Sequence, residues 1–305
     1  MTTALFFPGQ GSQSVGMLGE LADEFGIIKE TFAQASDALG YDVWELVQQD
    51  PNNQLNETQF TQPALLTASV ALYRVAKDKG LGDDLVMAGH SLGEYSALVC
   101  AGAIDFKDAV KLVEARGKFM QEAVADGEGA MAAVIGLDDD VIKQICEEQA
   151  QGEVVTPVNY NSPGQVVIAG HASAVSRAGE ALKEAGAKRV LPLPVSVPSH
   201  CALMKPAAEK LKQELENITV KSPVIDVINN VDVMVETDPA AIKDALVRQL
   251  YCPVRWTESV EKAADMGVEK AFEVGPGKVL TGLNKRITKS FNCSALNSAD
   301  ALNSI

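Results

Sequence analysis

Short apolar runs alternate along the chain with longer amphipathic segments, a pattern typical of α/β proteins. Residues 4–7 are apolar and end at a Pro-Gly turn, which predicts a buried strand. Residues 64–79 have helical periodicity, and Pro63 would occupy the first turn of that helix. Residues 85–88 form another apolar run and predict a second strand. A parallel sheet covered by helices is the expected architecture.

The middle of the chain follows a different plan. Its strands and helices are predicted in the order βαββαβ, over residues 129–136, 138–150, 154–160, 165–169, 172–185 and 187–191. That order is the ferredoxin-like plan. The proline-rich stretch 192–198 marks its end, because repeated prolines oppose both helix and central strand. We therefore expect a small ferredoxin-like subdomain over residues 126–196.

The α/β alternation resumes after this insertion. Before the insertion, Asp105 is a candidate N-cap for a helix that runs to about Val124. Helices and strands are then predicted alternately over residues 203–217, 223–229, 238–250, 268–274 and 278–290. Residues 1–125 and 197–305 would together form a larger, discontinuous, α/β-hydrolase-like domain with a parallel sheet.

Composition narrows the class of protein. The 305 residues are 47% hydrophobic, which is enough for a large core. No apolar run approaches the ~20 residues of a membrane span, and the N-terminus lacks the basic region of a signal peptide. The five cysteines form no C-x-x-C motif, so we expect reduced thiols in a cytoplasmic protein. The three histidines are not at ligand spacing, so no metal is expected.

The net charge of −15 argues against general nucleic-acid binding, which needs a positive surface. An acidic partner would have to dock on a local basic patch.

One five-residue motif carries the most specific chemical information. Residues 89–93 read Gly-His-Ser-Leu-Gly and match G-x-S-x-G, the nucleophile-elbow pattern. A strand is predicted before the motif and a helix after it, as that chemistry requires. The alternative is an ordinary βα turn with a capping serine. With both flanks in place, the motif favours Ser91 as a nucleophile.

A serine nucleophile needs a base, usually a histidine. His90 adjoins Ser91, and adjacent side chains on a tight turn usually diverge, so His90 is expected to pack or to form hydrogen bonds. His171 would open a helix of the insertion as a capping or surface residue. By elimination His200 is the candidate base, since it lies at the domain junction, where clefts form. A plain loop histidine is the alternative for His200.

Acyl transfer also needs donors for the developing oxyanion. The N–H after the nucleophile belongs to Leu92, and the glycine-containing loop 8–13 is the best source of a second N–H. A phosphate-binding loop is excluded there and at 275–278, because the Walker spacing is missing. Arg116 alone reads as a surface arginine paired with a glutamate.

These motifs occur in the order of a known family. Residues 7–13, 89–94, Arg116, 198–200 and 273–277 together resemble the malonyl-CoA:acyl-carrier-protein transacylases of type II fatty-acid synthesis, over essentially the whole chain. The resemblance implies a malonyl transfer from malonyl-CoA to the phosphopantetheine thiol of a carrier protein. It implies an acylated serine intermediate and no cofactor.

The resemblance also implies roles for individual residues. Ser91 would be acylated and His200 would be its base, oriented by a backbone carbonyl, that of Gln249. The backbone N–H groups of Gln10 and Leu92 would form the oxyanion hole. Arg116 would hold the malonyl carboxylate, since its planar fork matches a carboxylate. Gln62 and Asn161 resemble residues of the substrate channel.

One residue departs from the commonest family pattern. Ser199 stands before the histidine, where relatives often have an aromatic residue. This position bears on which acyl groups are accepted.

Carrier proteins of this kind are acidic, so a basic docking site is expected on this acidic chain. Lys278, Lys285 and Lys289 are spaced to share a face of the predicted helix, with Arg286 beside them. The pair Lys188 and Arg189 is a second candidate, and a solvated helix face is the alternative. We expect the protein to be a monomer.

Two other functions remain open at this stage. A hydrolase could use the same Ser–His pair, and the relative rates of hydrolysis and transfer would distinguish it. A non-catalytic module that binds carrier protein or CoA would form no acyl-enzyme. The presence of Ser91, His200 and Arg116 together disfavours that module.

Overall fold

The computed structural model describes residues 1–305, and its strands form two separate sheets. The first sheet has five parallel strands, β1 (Thr3–Phe7), β2 (Leu85–Gly89), β7 (Asp226–Ile228), β8 (Lys270–Glu273) and β9 (Asn292–Ala295). Their order across the sheet is β7-β2-β1-β8-β9. This sheet confirms the expected parallel α/β architecture.

The second sheet is antiparallel, in the order β4-β5-β3-β6. Its strands are β3 (Gly129–Ile135), β4 (Val155–Ser162), β5 (Gln165–His171) and β6 (Arg189–Pro192). With helices between β3 and β4 and between β5 and β6, the element order is βαββαβ, as the sequence predicted. The division of the chain into a larger domain and a subdomain over 126–196 stays a prediction.

Helices account for most of the remaining chain. They are α1 (Gly19–Glu24), α2 (Gly26–Leu39), α3 (Val43–Gln49), α4 (Thr58–Asp78), α5 (Leu92–Cys100), α6 (Phe106–Glu122), α7 (Asp139–Ala150), α8 (Ala172–Glu184), α9 (Lys205–Glu216), α10 (Pro239–Gln249), α11 (Trp256–Asp265), α12 (Val279–Ile287) and α13 (Ala299–Asn303). The Asp105 side chain accepts from the N–H groups of Lys107 and Asp108, which confirms it as the cap of α6. No helix is both long enough and apolar enough to cross a membrane.

The parallel sheet is buried on both faces. Successive side chains of β1 enter different cores, because side chains alternate across a strand. Leu5 and Phe7 belong to a cluster of 52 buried residues, while Ala4 and Phe6 belong to a cluster of 15 on the other face. Trp256, at the start of α11, packs edge-on against Phe6 at 5.4 Å between ring centroids.

Two sequence predictions about helices are wrong. Helix α4 begins at Thr58, so Pro63 lies inside it and not in its first turn. The carbonyl that Pro63 leaves without its donor is that of Gln59, in the first turn, where a missing bond disturbs the helix least. Helix α12 ends at Ile287 and not at 290. Thr288 is extended there, and its hydroxyl accepts from the N–H of Ser290, a local bond that competes with the helix.

Candidate active site

Ser91 lies on the turn between β2 and α5, at the carboxyl edge of the parallel sheet. Its backbone has φ 53° and ψ −110°, a conformation that L-residues rarely adopt. The flanking glycines are required by close backbone approach. A Cβ on Gly89 would lie 1.8 Å from the carbonyl carbon of Gly93, and one on Gly93 would lie 2.0 Å from the oxygen of Phe7. The motif therefore forms the strained elbow that the sequence predicted.

His200 lies against the serine and is held from behind by the main chain. The Ser91 Oγ is 2.8 Å from His200 Nε2, and His200 Nδ1 is 2.6 Å from the carbonyl oxygen of Gln249. Because a carbonyl only accepts, Nδ1 carries the ring proton and Nε2 offers its lone pair to the serine. His200 itself has φ 64° and its N–H donates to Leu250. The strain at both residues fixes their mutual geometry.

Arg116 is the second side chain in contact with the Ser91 hydroxyl. It projects from α6 and is 1% exposed, with Nη2 3.3 Å from Ser91 Oγ. Its other bonds go to amide oxygens, from Nη1 to Gln62 and from Nη2 to Gln249, both 2.8 Å long. The guanidinium also lies 5.2 Å from the ring centroid of Tyr95. Arg116 forms no salt bridge, and its Nε has no hydrogen-bond partner.

Burial and charge shape the titration of this cluster. Burial first, and the charge of Arg116 second, lower the pKa of His200 to about 3. The imidazole is therefore neutral at physiological pH, as a base must be. Burial also lowers the pKa of the Arg116 guanidinium, although arginine stays charged in proteins. A positive charge thus lies beside the serine with no carboxylate in direct contact with it.

A small cavity of about 110 Å³ opens above Ser91. Its lining comes from the antiparallel sheet and from loops and helices around the parallel sheet, and includes Gln10, Gln62, Ser91, Leu92, Arg116, Met131, Asn159, Leu193, Ser199 and His200. Leu92 is the first residue of α5, where helical N–H groups have no partner within the helix. Gln10 is on the loop after β1, across from Leu92.

Asn161 does not lie in the substrate channel, where the resemblance had suggested it. Its Oδ1 is 2.7 Å from His90 Nε2, and Asn161 does not line the cavity. Asn159, two residues earlier on β4, lines it instead. The bond between His90 and Asn161 confirms that His90 forms hydrogen bonds. It also ties the elbow to the antiparallel sheet.

The candidate docking residues are brought together more closely than the sequence indicated. Arg286 Nη1 donates to Gln165 Oε1, and Gln165 pairs with Ile135, which pairs with Arg189. Arg189 is therefore two strands from Gln165, about 10 Å away. The prediction that Lys278, Lys285 and Lys289 share one face of a helix is wrong. Lys278 precedes α12 and Lys289 follows it, because α12 is shorter than predicted.

A larger cavity, of about 560 Å³, lies elsewhere on the chain. It is lined by Arg74, Cys100 and Phe106, among others, and none of the residues around Ser91 contributes to it. Burial raises the pKa of the Cys100 thiol, which favours its protonated form. The small cavity above Ser91 is therefore the better candidate site. No group of three or more His, Cys, Asp or Glu side chains could hold a metal ion.

Sequence reasoning missed a buried polar network beneath the elbow. The Asn230 Oδ1 accepts from the N–H of Ser91 at 2.8 Å, and its Nδ2 donates to the carbonyl of Gly89 at 2.7 Å. The Glu94 carboxylate accepts from Asn230 N and from Gln249 Nε2. A signal existed, because Asn230 follows a short strand, and polar residues at the carboxyl ends of parallel strands line sites.

The fold and this site define an acyltransferase. The family model described as acyl transferase domain matches residues 5–302. The chain is 68% identical over 299 residues to the malonyl CoA-acyl carrier protein transacylase of Salmonella typhimurium, covering 98% of this chain and 97% of the relative. It is 46% identical over 300 residues to that of Bacillus subtilis, covering 98% and 94%.

Solved structures are similar over their full length. The acyl carrier protein S-malonyltransferase of Vibrio cholerae matches with a TM-score of 0.97 at 62% identity, covering 100% of this chain and 99% of that chain. A malonyl-transacylase solved with a type II PKS acyl-carrier protein matches with a TM-score of 0.97 at 60% identity, covering 99% and 98%. The chain therefore belongs to the malonyl CoA-acyl carrier protein transacylase family.

Proposed function

We propose that this acyltransferase moves a malonyl group from malonyl-CoA to the phosphopantetheine thiol of an acyl carrier protein, in fatty-acid biosynthesis. The observation that carries the proposal is the buried, charged and unpaired Arg116, 3.3 Å from Ser91 Oγ. A guanidinium in that state needs a carboxylate. An acyl group whose carboxylate binds Arg116 has its thioester carbon close to the serine. Malonyl is such a group.

The first half-reaction acylates Ser91. The Arg116 Nη2 donates to Oγ, so the serine proton points to His200 Nε2. His200 takes that proton while Oγ attacks the thioester carbonyl carbon. The negative oxygen accepts hydrogen bonds from the N–H groups of Gln10 and Leu92. The carbon–sulfur bond then breaks, the proton passes from His200 to the sulfur, and CoA leaves.

The second half-reaction runs the same steps in reverse. The carrier thiol gives its proton to His200 and attacks the ester, and Ser91 recovers its proton. The Gln249 carbonyl holds the imidazolium that forms in each half, since its oxygen accepts from Nδ1. Substrates enter and leave alternately, which is ping-pong kinetics. The chemistry uses side chains and main-chain N–H groups of this chain, with no cofactor.

Intact mass after brief incubation with malonyl-CoA tests the proposal. We expect a malonyl adduct on the wild-type protein that persists in buffer and disappears on addition of holo carrier protein. An adduct that water removes as fast as carrier protein does would mean a hydrolase. No adduct and no release of CoA would mean a non-catalytic module and would contradict the proposal.

We also propose that Lys285 and Arg286, with Lys188 and Arg189, attract the acidic carrier protein. The supporting observation is the row from Arg286 through Gln165 to Arg189, which gathers positive charge on one surface. The surrounding chain is acidic, with a net charge of −15. Long-range attraction of this kind raises the rate of encounter more than it changes contacts after docking.

Charge reversal tests this surface. We expect the Lys285→Glu, Arg286→Glu variant to raise the KM for carrier protein about tenfold at low salt, with the difference shrinking as salt is added. Acylation by malonyl-CoA in the absence of carrier protein reports on folding of the site. The matched control reverses Lys107 and Lys111, which are exposed on α6. Equal KM values for the variant, the control and the wild type would rule the surface out.

A further inference from the structure

The Ser91–His200 pair lacks the carboxylate that often accompanies it. In many hydrolases a buried aspartate accepts from the histidine Nδ1 and stabilises the imidazolium that forms during catalysis. Here a main-chain carbonyl, that of Gln249, takes this place at 2.6 Å. A neutral carbonyl stabilises an imidazolium less than a carboxylate does. The positive charge of Arg116 near Ser91 makes the imidazolium less favourable still.

A buried carboxylate, that of Glu94, is nevertheless linked to His200 through one residue, Gln249. Glu94 is 3% exposed and lies in the first turn of α5. Its Oε2 accepts from Gln249 Nε2 at 2.9 Å and from the N–H of Asn230 at 3.0 Å. Gln249 is thus bound at both ends, by its side chain to the carboxylate and by its carbonyl to His200. Gln249 therefore connects the negative charge of Glu94 to the histidine.

The same carboxylate also holds the elbow. The Asn230 that donates to Glu94 accepts from the strained N–H of Ser91. The Gln249 Nε2 that donates to Glu94 also donates to the Ser91 carbonyl, at 3.0 Å. Both peptide groups of Ser91 are therefore fixed by residues that Glu94 orients. A serine at φ 53° needs such support to persist.

We propose that Glu94 is a positioning residue that supplies, through Gln249 and Asn230, the buried negative charge which the Ser91–His200 pair otherwise lacks. The inference rests on the proposed acyl-enzyme mechanism. The Gln249 amide lies between Glu94 and Arg116, which also explains why the guanidinium has no direct ion pair with a carboxylate. A direct ion pair would occupy the face that must receive the substrate carboxylate, whereas Gln249 Oε1 occupies only one donor of Nη2.

The titration of Glu94 makes the proposal testable. Burial raises the pKa of the carboxyl to about 7, and the bonds from Asn230 and Gln249 and the charge of Arg116 oppose the rise. The other ionisable groups around it are Tyr95 on α5, Asp232 after β7 and Glu236 across a small shared cavity. The His200 pKa lies far lower, at about 3. Burial also lowers the pKa of His90, the other histidine at the cavity, so Glu94 is the group at the site whose pKa lies near 7.

The experiment measures single-turnover acylation of Ser91 by malonyl-CoA between about pH 5.5 and 8.5. The wild-type rate is expected to fall as pH decreases through about 7, because Glu94 is then protonated. In Glu94→Gln one oxygen can accept both hydrogen bonds, so the geometry is kept and the charge is lost. We expect a rate about tenfold lower above pH 8, no acid limb, and an unchanged KM.

The control is Glu236→Gln, which removes a carboxylate from the same small cavity without contact to Gln249 or Asn230, and should retain the wild-type profile. A second variant, Gln249→Met, keeps the carbonyl behind His200 and breaks the connection to Glu94. It should lower the rate above pH 8 and shrink the acid limb, because only Asn230 then connects Glu94 to Ser91, and this holds even if Glu94→Gln fails to fold. A full acid limb in Glu94→Gln, or a wild-type rate and profile in Gln249→Met, overturns the inference. No acylation in the wild type would refute the proposed function instead.

Discussion

Replacement of Ser91 by alanine is expected to abolish the malonyl adduct, and replacement of His200 by alanine to slow its formation by more than about a thousandfold. The two residues act as one unit, since Oγ and Nε2 are 2.8 Å apart and share a proton. Without Oγ there is no atom to acylate. Without the imidazole, the serine proton has no acceptor, because Arg116 only donates. Quenched-flow acylation followed by intact mass measures both variants.

A matched control separates chemistry from folding. His171 precedes α8 and its Nδ1 accepts from the N–H of Val154, away from the cavity. His171→Ala should acylate at the wild-type rate. The double variant of Ser91 and His200 should be no worse than Ser91→Ala alone, as expected for groups that work together. A malonyl adduct on Ser91→Ala would show that another residue is the nucleophile.

Replacement of Arg116 by alanine is expected to change the preferred acyl group. Loss of a buried charge-assisted pair with the substrate carboxylate costs about 3 kcal/mol or more, or at least ~100-fold in kcat/KM for malonyl-CoA. An uncharged acyl group loses nothing there. Removal of the positive charge also raises the pKa of His200, which Arg116 lowers. Acetyl-CoA should therefore react at least as fast as before.

Competition between malonyl-CoA and acetyl-CoA, read by the mass of the adduct, measures this change directly. Arg116→Lys keeps a charge but not the planar fork, so its malonyl preference should be intermediate. Arg74→Ala is the matched control. Arg74 is a half-buried arginine that donates to Thr31 and Gln34, far from the serine, and its loss should leave the preference unchanged. If Arg116→Ala still prefers malonyl, the carboxylate binds elsewhere.

Much of this site was predictable because its parts are local in sequence. The elbow needs two glycines around a serine, a strand before it and a helix after it, and all lie within residues 85–100. A Cβ would lie 1.8 Å from backbone atoms at Gly89 and 2.0 Å from them at Gly93, which explains why no other residue type fits at these positions. The order of strands and helices around the antiparallel sheet was predictable for the same reason. The spacing of apolar residues changes from that of a strand to that of a helix within a few residues of sequence.

The rest depends on contacts between distant residues. Asn230 and Glu94 are 136 positions apart, and nothing in either local sequence indicates that they meet. The exchange of Asn161 for Asn159 at the cavity follows from irregular pairing between β4 and β5, which shows register shifts at 157/159 and 160/162. Helix α4 begins at Thr58, before Pro63, because tertiary packing outweighs the local preference of proline for the first turn.

The guanidinium of Arg116, which has no direct ion pair, connects the stability of the fold to the acylation of Ser91. A buried charge without a carboxylate in direct contact destabilises the fold that contains it, and a carboxylate bound beside it lowers that cost. On the proposed mechanism the carboxylate arrives covalently attached to Ser91 and leaves with the carrier protein. The loaded enzyme is then the more stable form, by ligand linkage within a single chain. Thermal tolerance of this protein in the cell would thereby follow the supply of malonyl-CoA.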